Sequence, residues 1–437
     1  VVGTRSAVFA PCENLGLIIL DEEQEHSYKS ENSPRYAARE VAMWRGHKEG
    51  ALVLLGSATP SVESMYHAKQ GDYRLYRLQN RYNGRALPET QIVDMREELK
   101  LGNDGTLSIP LRQAIHDTLA ADKQAILLLN RRGNSRALVC VDCRKAPECP
   151  RCSERLTYHS ANNRLLCHYC GYSVPVPDRC PSCGGPLKTL GTGTQRVQQE
   201  LSALFPDVEV ARMDADTVSA SNPHEVILDR FRRGEQKILL GTQMVAKGLD
   251  MPNVTLVGVL DADLSLFTGG FRAGETTFDM LTQVVGRAGR GSFAGRAILQ
   301  TMVPNHELIR LAAQQDYDRF YDLEIRLRQV QHVPPFADQV LIGFQGLQEP
   351  QVLMGAAKFR DSLLQLQRSG NFGPMELLGP APSPVPKINY QFRYRLTLRC
   401  RMEKNIRAAL RYLLCAFGKD SKMRGVSAFI DVNGFMD

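Results

Sequence analysis

Eight of the 11 cysteines in this chain form four Cys-x-x-Cys pairs. The pairs are Cys140/Cys143, Cys149/Cys152, Cys167/Cys170 and Cys180/Cys183. Two thiolates separated by two residues can grip one metal ion from a single tight turn. Four such turns supply two tetrahedral four-cysteine shells, the coordination that structural zinc prefers. Gly171 and Gly184 follow two of the pairs, where a turn often needs positive φ. Disulfides are the competing use of close-set cysteines. In a chain of 437 residues with no visible secretory signal, metal is favoured, and a reducing, cytoplasmic setting is expected. Cys12, Cys400 and Cys415 lie alone and read as small buried hydrophobes.

A chain of this length should hold about three domains. It is 43% hydrophobic and 23% charged, enough to bury sizeable cores. No apolar run approaches the roughly 18 residues of a membrane span. The net charge of +7 permits nucleic-acid binding without requiring it. The fold class expected is α/β. Leu15–Leu20 runs into Asp21 and Glu22, and Ala51–Leu55 runs into Gly56-Ser57-Ala58-Thr59. Continuous apolar runs suit parallel strands covered on both faces, and ligands bind beyond the carboxyl ends of such strands. A second α/β region is expected over 110–335. Its strands fall at Ala125–Leu129, Val208–Ala211, Ile238–Leu240, Val254–Leu260 and Ala297–Leu299, with helices at Thr194–Leu204 and His224–Arg233. The cysteine module, 139–185, interrupts it after the first strand and has few large apolar residues, so zinc should hold it together. The last unit, 336–437, reads strand, helix, strand, strand, helix, strand, the split βαββαβ arrangement.

Two clusters point to nucleotide chemistry. Hydrolysis of a nucleotide needs one carboxylate for Mg²⁺ and a second group to orient or deprotonate water, roles that fit Asp21 and Glu22. Alone, an acidic pair after a strand is usually a solvated turn. Gln283-Val284-Val285-Gly286-Arg287-Ala288-Gly289-Arg290 is more specific. On a helix, Gln283, Arg287 and Arg290 share one face, and an arginine stabilising a transferring phosphoryl group is worth about 10³–10⁵ in rate. Two glycines lower helix propensity, so a close approach to a ligand or another domain is expected there.

Asp21–Gln24, Gly56–Thr59, Gly241-Thr242-Gln243-Met244-Val245-Ala246-Lys247-Gly248 and Gln283–Arg290 resemble motifs II, III, V and VI of superfamily 2 helicases, in that order. Four cysteine pairs inserted in the second motor lobe narrow the resemblance to the PriA family of bacterial primosomal replication-restart helicases. Further matching stretches are Gly3-Thr4-Arg5-Ser6-Ala7, Asn130-Arg131-Arg132-Gly133, Arg212–Thr217 and Leu378-Gly379-Pro380. The resemblance implies RecA-like helicase lobes, the first one partial over 1–109, an inserted module with two zinc ions, and a C-terminal α+β domain. It implies that Asp21 and Glu22 serve Mg²⁺ and water activation, and that Ser57–Thr59 couples hydrolysis to motion. Gln283, Arg287 and Arg290 would complete the ATP site, and Gly248 and Asp250 would link nucleotide to DNA. The stretch His26–Arg39 corresponds to the family's aromatic-rich, DNA-sensing loop, with Tyr28, Lys29, Arg35 and Tyr36 as candidates; Arg5 lies in another matching stretch. In the last domain Tyr390–Cys400 alternates, placing Arg393, Arg395 and Arg399 opposite Phe392, Tyr394, Leu396 and Leu398. That basic stripe is a solvated face or, by the resemblance, a site for branched DNA or for the acidic tail of single-stranded-DNA-binding protein. Other primosome proteins are the remaining partners implied.

Four cysteine pairs can be joined two by two in three ways. The 14-residue gap between Cys152 and Cys167 is near the usual ribbon spacing, whereas Cys143 and Cys149 are separated by only five residues. Both gaps favour nesting, as does the resemblance: Cys149/Cys152/Cys167/Cys170 inside, Cys140/Cys143/Cys180/Cys183 outside. His159 and His168 are rival ligands, but eight thiolates already fill two sites.

The sequence departs from the family at three points. No Gly-x-x-x-x-Gly-Lys-Ser/Thr loop occurs, so the chain is expected to be the carboxy-terminal part of a longer protein and inactive as an ATPase alone. Gln24 stands where the family usually has His, and Pro34 where an aromatic is expected. The leading reading is an ATP-dependent 3′→5′ DNA helicase of replication restart. The competing reading is a non-catalytic scaffold that binds zinc and DNA.

Overall fold

The structure is a computed structural model of residues 1–437. It describes all of them except 79–86, 130–136, 141, 144, 160–163, 168, 191–193, 214–223, 243–250, 268–269, 290–292, 370–371 and 435–437. The chain divides into two compact units, Val1–Tyr76 with Tyr321–Asp437, and Arg77–Phe320.

In the first unit, β1 (Leu17–Asp21) and β2 (Leu52–Gly56) pair in parallel, with Leu17 opposite Leu52 and Asp21 opposite Gly56. Both apolar runs therefore end side by side, which brings their polar clusters to one edge. Helix α1 (Ala38–Glu49) packs on the strands through Gly46, where a Cβ would lie 2.5 Å from the Val53 methyl. Leu17, Ile19, Leu52 and Leu54 form the opposite face and are exposed, so the described residues cover one of the two faces. Helix α2 (Val62–Gln70) starts at Ser61, whose hydroxyl accepts the Ser64 amide at 3.2 Å.

The second unit opens with β3 (Glu89–Asp94), α3 (Met95–Lys100), α4 (Ile109–Ala120) and β4 (Gln124–Leu128). The inserted module follows as β5 (Ala137–Cys140), β6 (Thr157–His159), β7 (Arg164–Leu166), β8 (Ser173–Pro175) and β9 (Leu187–Leu190). The chain then continues through α5 (Thr194–Leu204), β10 (Val210–Met213), α6 (His224–Arg232), β11 (Ile238–Gly241), β12 (Val254–Val259), α7 (Ala273–Val285), β13 (Arg296–Thr301) and α8 (Glu307–Gln314). The main sheet is parallel, in the order β10-β11-β4-β12-β13-β3. Every residue of the central strand β4 is buried, and α4 and α5 cover it through Leu111, Ile115, Val197 and Leu201. Each expected strand of this region is present, with ends displaced by no more than two residues. Two elements, β3 and α3, precede the expected boundary at 110, and β3 is the edge of this sheet, paired with β13. Its Glu89-Thr90-Gln91 start is polar because an edge strand has a neighbour on one side only. The module forms its own antiparallel sheet, β8-β7-β6-β5-β9. Its entry strand β5 pairs with its exit strand β9, Ala137 opposite Leu190, so the insertion leaves and rejoins the lobe at one place.

Helix α9 (Tyr317–Gln331) leads to β14 (Asp338–Gly346), α10 (Glu349–Ser369), β15 (Met375–Ile388), β16 (Gln391–Cys400), α11 (Lys404–Lys419) and β17 (Val426–Val432). The antiparallel order β15-β16-β14-β17 is the expected split arrangement, with Val340, Ile342, Phe344, Leu396 and Leu398 facing the two helices. β15 runs ten residues beyond the expected Leu378, with two breaks in register. Prolines at 380, 382, 384 and 386 hide that strand in the sequence, and an edge position tolerates them. No described helix is long and apolar enough to cross a membrane.

Candidate functional site

The cysteines converge into two groups of four, Cys140/Cys143/Cys180/Cys183 and Cys149/Cys152/Cys167/Cys170, with the sulfurs of each group within 4.8 Å of one another. This is the nested pairing. The Cys140–Cys183, Cys143–Cys180 and Cys149–Cys170 sulfurs are 3.4, 3.7 and 3.6 Å apart. A tetrahedral shell with Zn–S near 2.3 Å sets sulfurs about 3.8 Å apart, whereas a disulfide needs about 2.0 Å. The donor set and spacing therefore fit one Zn²⁺ per group. All four turns share one geometry, in which the first cysteine amide donates to the carbonyl five residues on: Lys145, Glu154, Tyr172 and Gly185, at 2.8–2.9 Å. Gly171 and Gly184 take φ +70 and +75, and their amides donate back to Cys167 and Cys180. The Arg151 and Ser182 amides point at the Cys149 and Cys180 sulfurs from 3.4 Å, which favours the thiolate that zinc binds. The His159 side chain and His168 lie outside the described residues. Cys400 is buried as expected; Cys415 is exposed, contrary to its reading as a buried hydrophobe.

Asp21 ends β1, and Glu22 sits in the left-handed region at φ +49. A non-glycine residue held there costs of order 1 kcal/mol and persists only where its surroundings impose it. Two contacts do so: the Glu25 amide donates to the Glu22 carbonyl at 2.9 Å, and the Glu23 amide donates to Gly56 at 3.1 Å. The Glu22 carboxylate accepts from the Gln24 amide group at 2.8 Å, Ser57 donates to the Gln24 side-chain oxygen at 2.6 Å, and the Thr59 amide donates to Ser57 at 3.0 Å. The acidic box and the Gly56–Thr59 turn are thus joined through Gln24, the residue that departs from the family. Carboxylate oxygens at the ends of parallel strands suit a hard cation such as Mg²⁺.

A second network lies beneath, unforeseen from the sequence. Buried Glu23 accepts from the Ser61 amide at 2.6 Å, the Ser64 hydroxyl at 3.1 Å and Arg39 at 3.0 Å. Burial opposes the charge on Arg39, but Glu23 and Glu63 outweigh it and hold the guanidinium above its ordinary pKa. A serine before a helix was a visible capping signal; a glutamate arriving from 38 residues away was not.

On the second unit, Gln283 lies on α7, which ends at Val285, so Arg287 follows in a turn and is 8% exposed. The expected single helical face through position 290 is therefore not formed by the described residues. Gly289 has φ +70, and a Cβ on it would meet Gly295 backbone at 2.6 Å, so its close approach is to its own lobe. Arg290, Gly248 and Asp250 lie outside the described residues.

Residues 149–175 match the PriA DNA helicase Cys-rich region, 191–292 the helicase conserved C-terminal domain, and 329–434 the primosomal protein N C-terminal domain. The replication restart protein PriA of Bacillus subtilis is 44% identical over 100% of this chain and 54% of its own length. The chain belongs to the PriA family. Its PriA relative in Synechocystis is 41% identical over 91% of this chain and 49% of that protein; the one in Haemophilus influenzae is 37% identical over 97% and 57%. The chain spans about half the length of the curated PriA proteins it matches. Among solved structures, RecG bound to a three-way DNA junction aligns over 72% of this chain and 30% of that one, at 15% identity and a TM-score of 0.38.

The residues that the PriA resemblance assigns to DNA are held by internal contacts. Arg5 donates to the Ser27 carbonyl at 3.1 Å, and Tyr36 meets Phe9 edge to face at 4.8 Å. Tyr28 donates to the Asp21 carbonyl at 2.8 Å; burial, and then the Asp21 carboxylate, raise its hydroxyl pKa. Lys29 pairs with Asp431 of β17 at 2.8 Å and donates to the Val432 carbonyl at 3.0 Å. Arg35 lies 4.0 Å over the Phe429 ring and 3.9 Å from Asp431. The two candidate cations, Lys29 and Arg35, therefore share one carboxylate of the C-terminal domain, Asp431. Arg393 and Arg395 are half-buried on the face of β16 opposite Leu396 and Leu398, and line a small cleft with Ser383 and Phe429.

Proposed function

We propose that the protein is an ATP-dependent 3′→5′ DNA helicase that restarts stalled replication by initiating primosome assembly. This chain contributes the acidic box, the second motor lobe, the zinc module and the C-terminal domain. The observation that carries the reading is the hydrogen-bonded run Glu22–Gln24–Ser57–Thr59, which ties the acidic box to the turn that the resemblance assigns to coupling. In this reading Asp21 ligates Mg²⁺, which when bound with ATP offsets the phosphate charge. Glu22 orients and deprotonates the attacking water. Gln283, Arg287 and Arg290 contact the nucleotide, with Gly248 and Asp250 relating it to DNA. Arg5, Tyr28, Lys29, Arg35, Tyr36, Arg393 and Arg395 are the DNA contacts, with Lys29 and Arg35 exchanging Asp431 for phosphate. Single-stranded and forked DNA, single-stranded-DNA-binding protein and other primosome proteins are the partners, in the cytoplasm.

The test is DNA-stimulated ATP hydrolysis by the full-length protein. Glu22→Gln should lower turnover by about 10²–10⁴, the usual worth of a general base. The 437-residue chain alone should show no DNA-stimulated turnover. Undiminished turnover in Glu22→Gln would overturn the assignment. A full-length protein that binds zinc and DNA but hydrolyses nothing would establish the scaffold instead.

A further inference from the structure

Arg328, on α9, is fully buried, and its charge is met by carboxylates from two helices. Its guanidinium lies 3.0 Å from Glu324, one turn earlier on the same helix, and 3.3 Å from Glu63 in the first turn of α2. It also donates to the Pro334 carbonyl at 3.3 Å. Glu63 and Glu324 are themselves almost entirely buried. Such an arrangement is a poor way to gain stability, because packed apolar side chains of the same volume do as well or better. It does impose geometry: the guanidinium fork donates to Glu324 at 3.0 Å and to the Pro334 carbonyl, which leaves few orientations in which it also pairs with Glu63 at 3.3 Å.

What it orients is the start of α2. Glu63 lies two residues after Ser61, the cap that Glu23 and Arg39 also hold. Ser61 ends the short turn that begins at Ser57, and Ser57 donates to Gln24, which donates to Glu22. Every group in this series belongs to one compact unit. From the Glu22 carboxylate to the buried arginine, each step is a hydrogen bond, an ion pair or a few bonds of backbone.

We infer that Arg328 is a positioning residue for the acidic box: held between Glu63 and Glu324, it fixes the start of α2 and, through Ser61, Ser57 and Gln24, the orientation of the Glu22 carboxylate. The inference rests on the proposed role of Glu22. It assigns a function in hydrolysis to a residue outside every motif named above.

The experiment uses full-length protein in which Arg328→Met, Glu63→Gln and Glu324→Gln are combined, so that no buried charge is left unpaired. Thermal unfolding should stay near that of the parent. DNA-stimulated kcat should fall about tenfold or more with KM for ATP within about twofold, since small misplacements of a reacting group cost rate steeply. Arg328→Lys keeps the charge but not the fork, and should give an intermediate kcat. Parental kcat in the triple variant, with or without a lowered unfolding temperature, would reduce Arg328 to a packing element. If the triple variant does not fold, Arg328→Lys decides, and parental kcat there overturns the inference. Glu22→Gln, assayed alongside, separates the two questions. Hydrolysis surviving that change removes the proposed role of Glu22 itself, whereas its loss leaves Arg328 to be judged on its own variants.

Discussion

Between Ala137 and Leu190 the described residues bury Leu138, Leu156 and Leu165, along with five of the eight paired cysteines. The C-terminal domain instead gathers 15 buried residues into one cluster, with Phe344, Phe359 and Phe417 meeting edge to face at 5.6–6.2 Å. Both are small sheets of four or five strands, yet the physical origin of their order differs. The module has strands of three or four residues and too little apolar surface to offset chain entropy, so its shape depends on ions at two points. The domain has long paired strands under two helices and needs no ion. Metal orders the first, burial the second.

The sharpest way to break that contrast is to remove zinc. A chelator should release two ions per chain and withdraw about 10–16 kcal/mol of binding free energy per site from the module. Amide hydrogen exchange over 137–190 should then become fast, while 338–432 stays protected. The eight paired thiols should become titratable while Cys400, whose thiol burial pushes up to about 11, remains unmodified. Loss of protection in both regions at once would mean that the module and domain are not ordered independently.

The converse change strikes the domain alone. Phe344→Ala removes a ring at the centre of the aromatic trio and should cost about 3–5 kcal/mol in denaturant unfolding of that domain. Zinc content should stay at two ions. A fall in bound zinc would show that the domain helps to hold the module.

Two glycines give the smallest and most selective contrast. Gly184 has φ +75 and open space around its missing Cβ, so Gly184→Ala should cost about 1 kcal/mol through backbone strain, read as weaker zinc retention. Gly343 has ordinary φ, but a Cβ there would come 2.3 Å from the Phe429 ring that Arg35 covers. Gly343→Ala should therefore act by crowding, about 1–3 kcal/mol, read in unfolding of the domain with zinc retention unchanged. Equal effects on zinc would erase the distinction between strain and crowding.

The periodic parts of the fold were legible because buried strands and amphipathic helices repeat at short range. β4, β11 and β12 were visible as apolar runs, and the last domain as an ordered series of patterns. β3 and the extension of β15 were not, since an edge strand needs neither apolar alternation nor a free amide at every position. In the candidate site, Asp21, Glu22 and Ser57 were readable from their places after two apolar runs. Their joining through Gln24 was not, because it depends on β1 and β2 lying in register.

By itself the sequence determined which eight cysteines are the metal ligands, since a Cys-x-x-Cys turn carries its chemistry within four residues; it favoured the nested sharing of two ions, and the fold decided it. The sequence also determined the order of the motor motifs and the family to which they point. Only the tertiary structure decided which charges remain available. Lys29 and Arg35 read as free cations on a DNA-sensing loop until β17 brings Asp431 beside them. Arg328 reads as one more basic residue on a charged helix until α2 presents Glu63 to it. The reason is physical: a ligand turn is a local object, whereas the charge state and freedom of a side chain belong to whatever distant segment the fold sets against it.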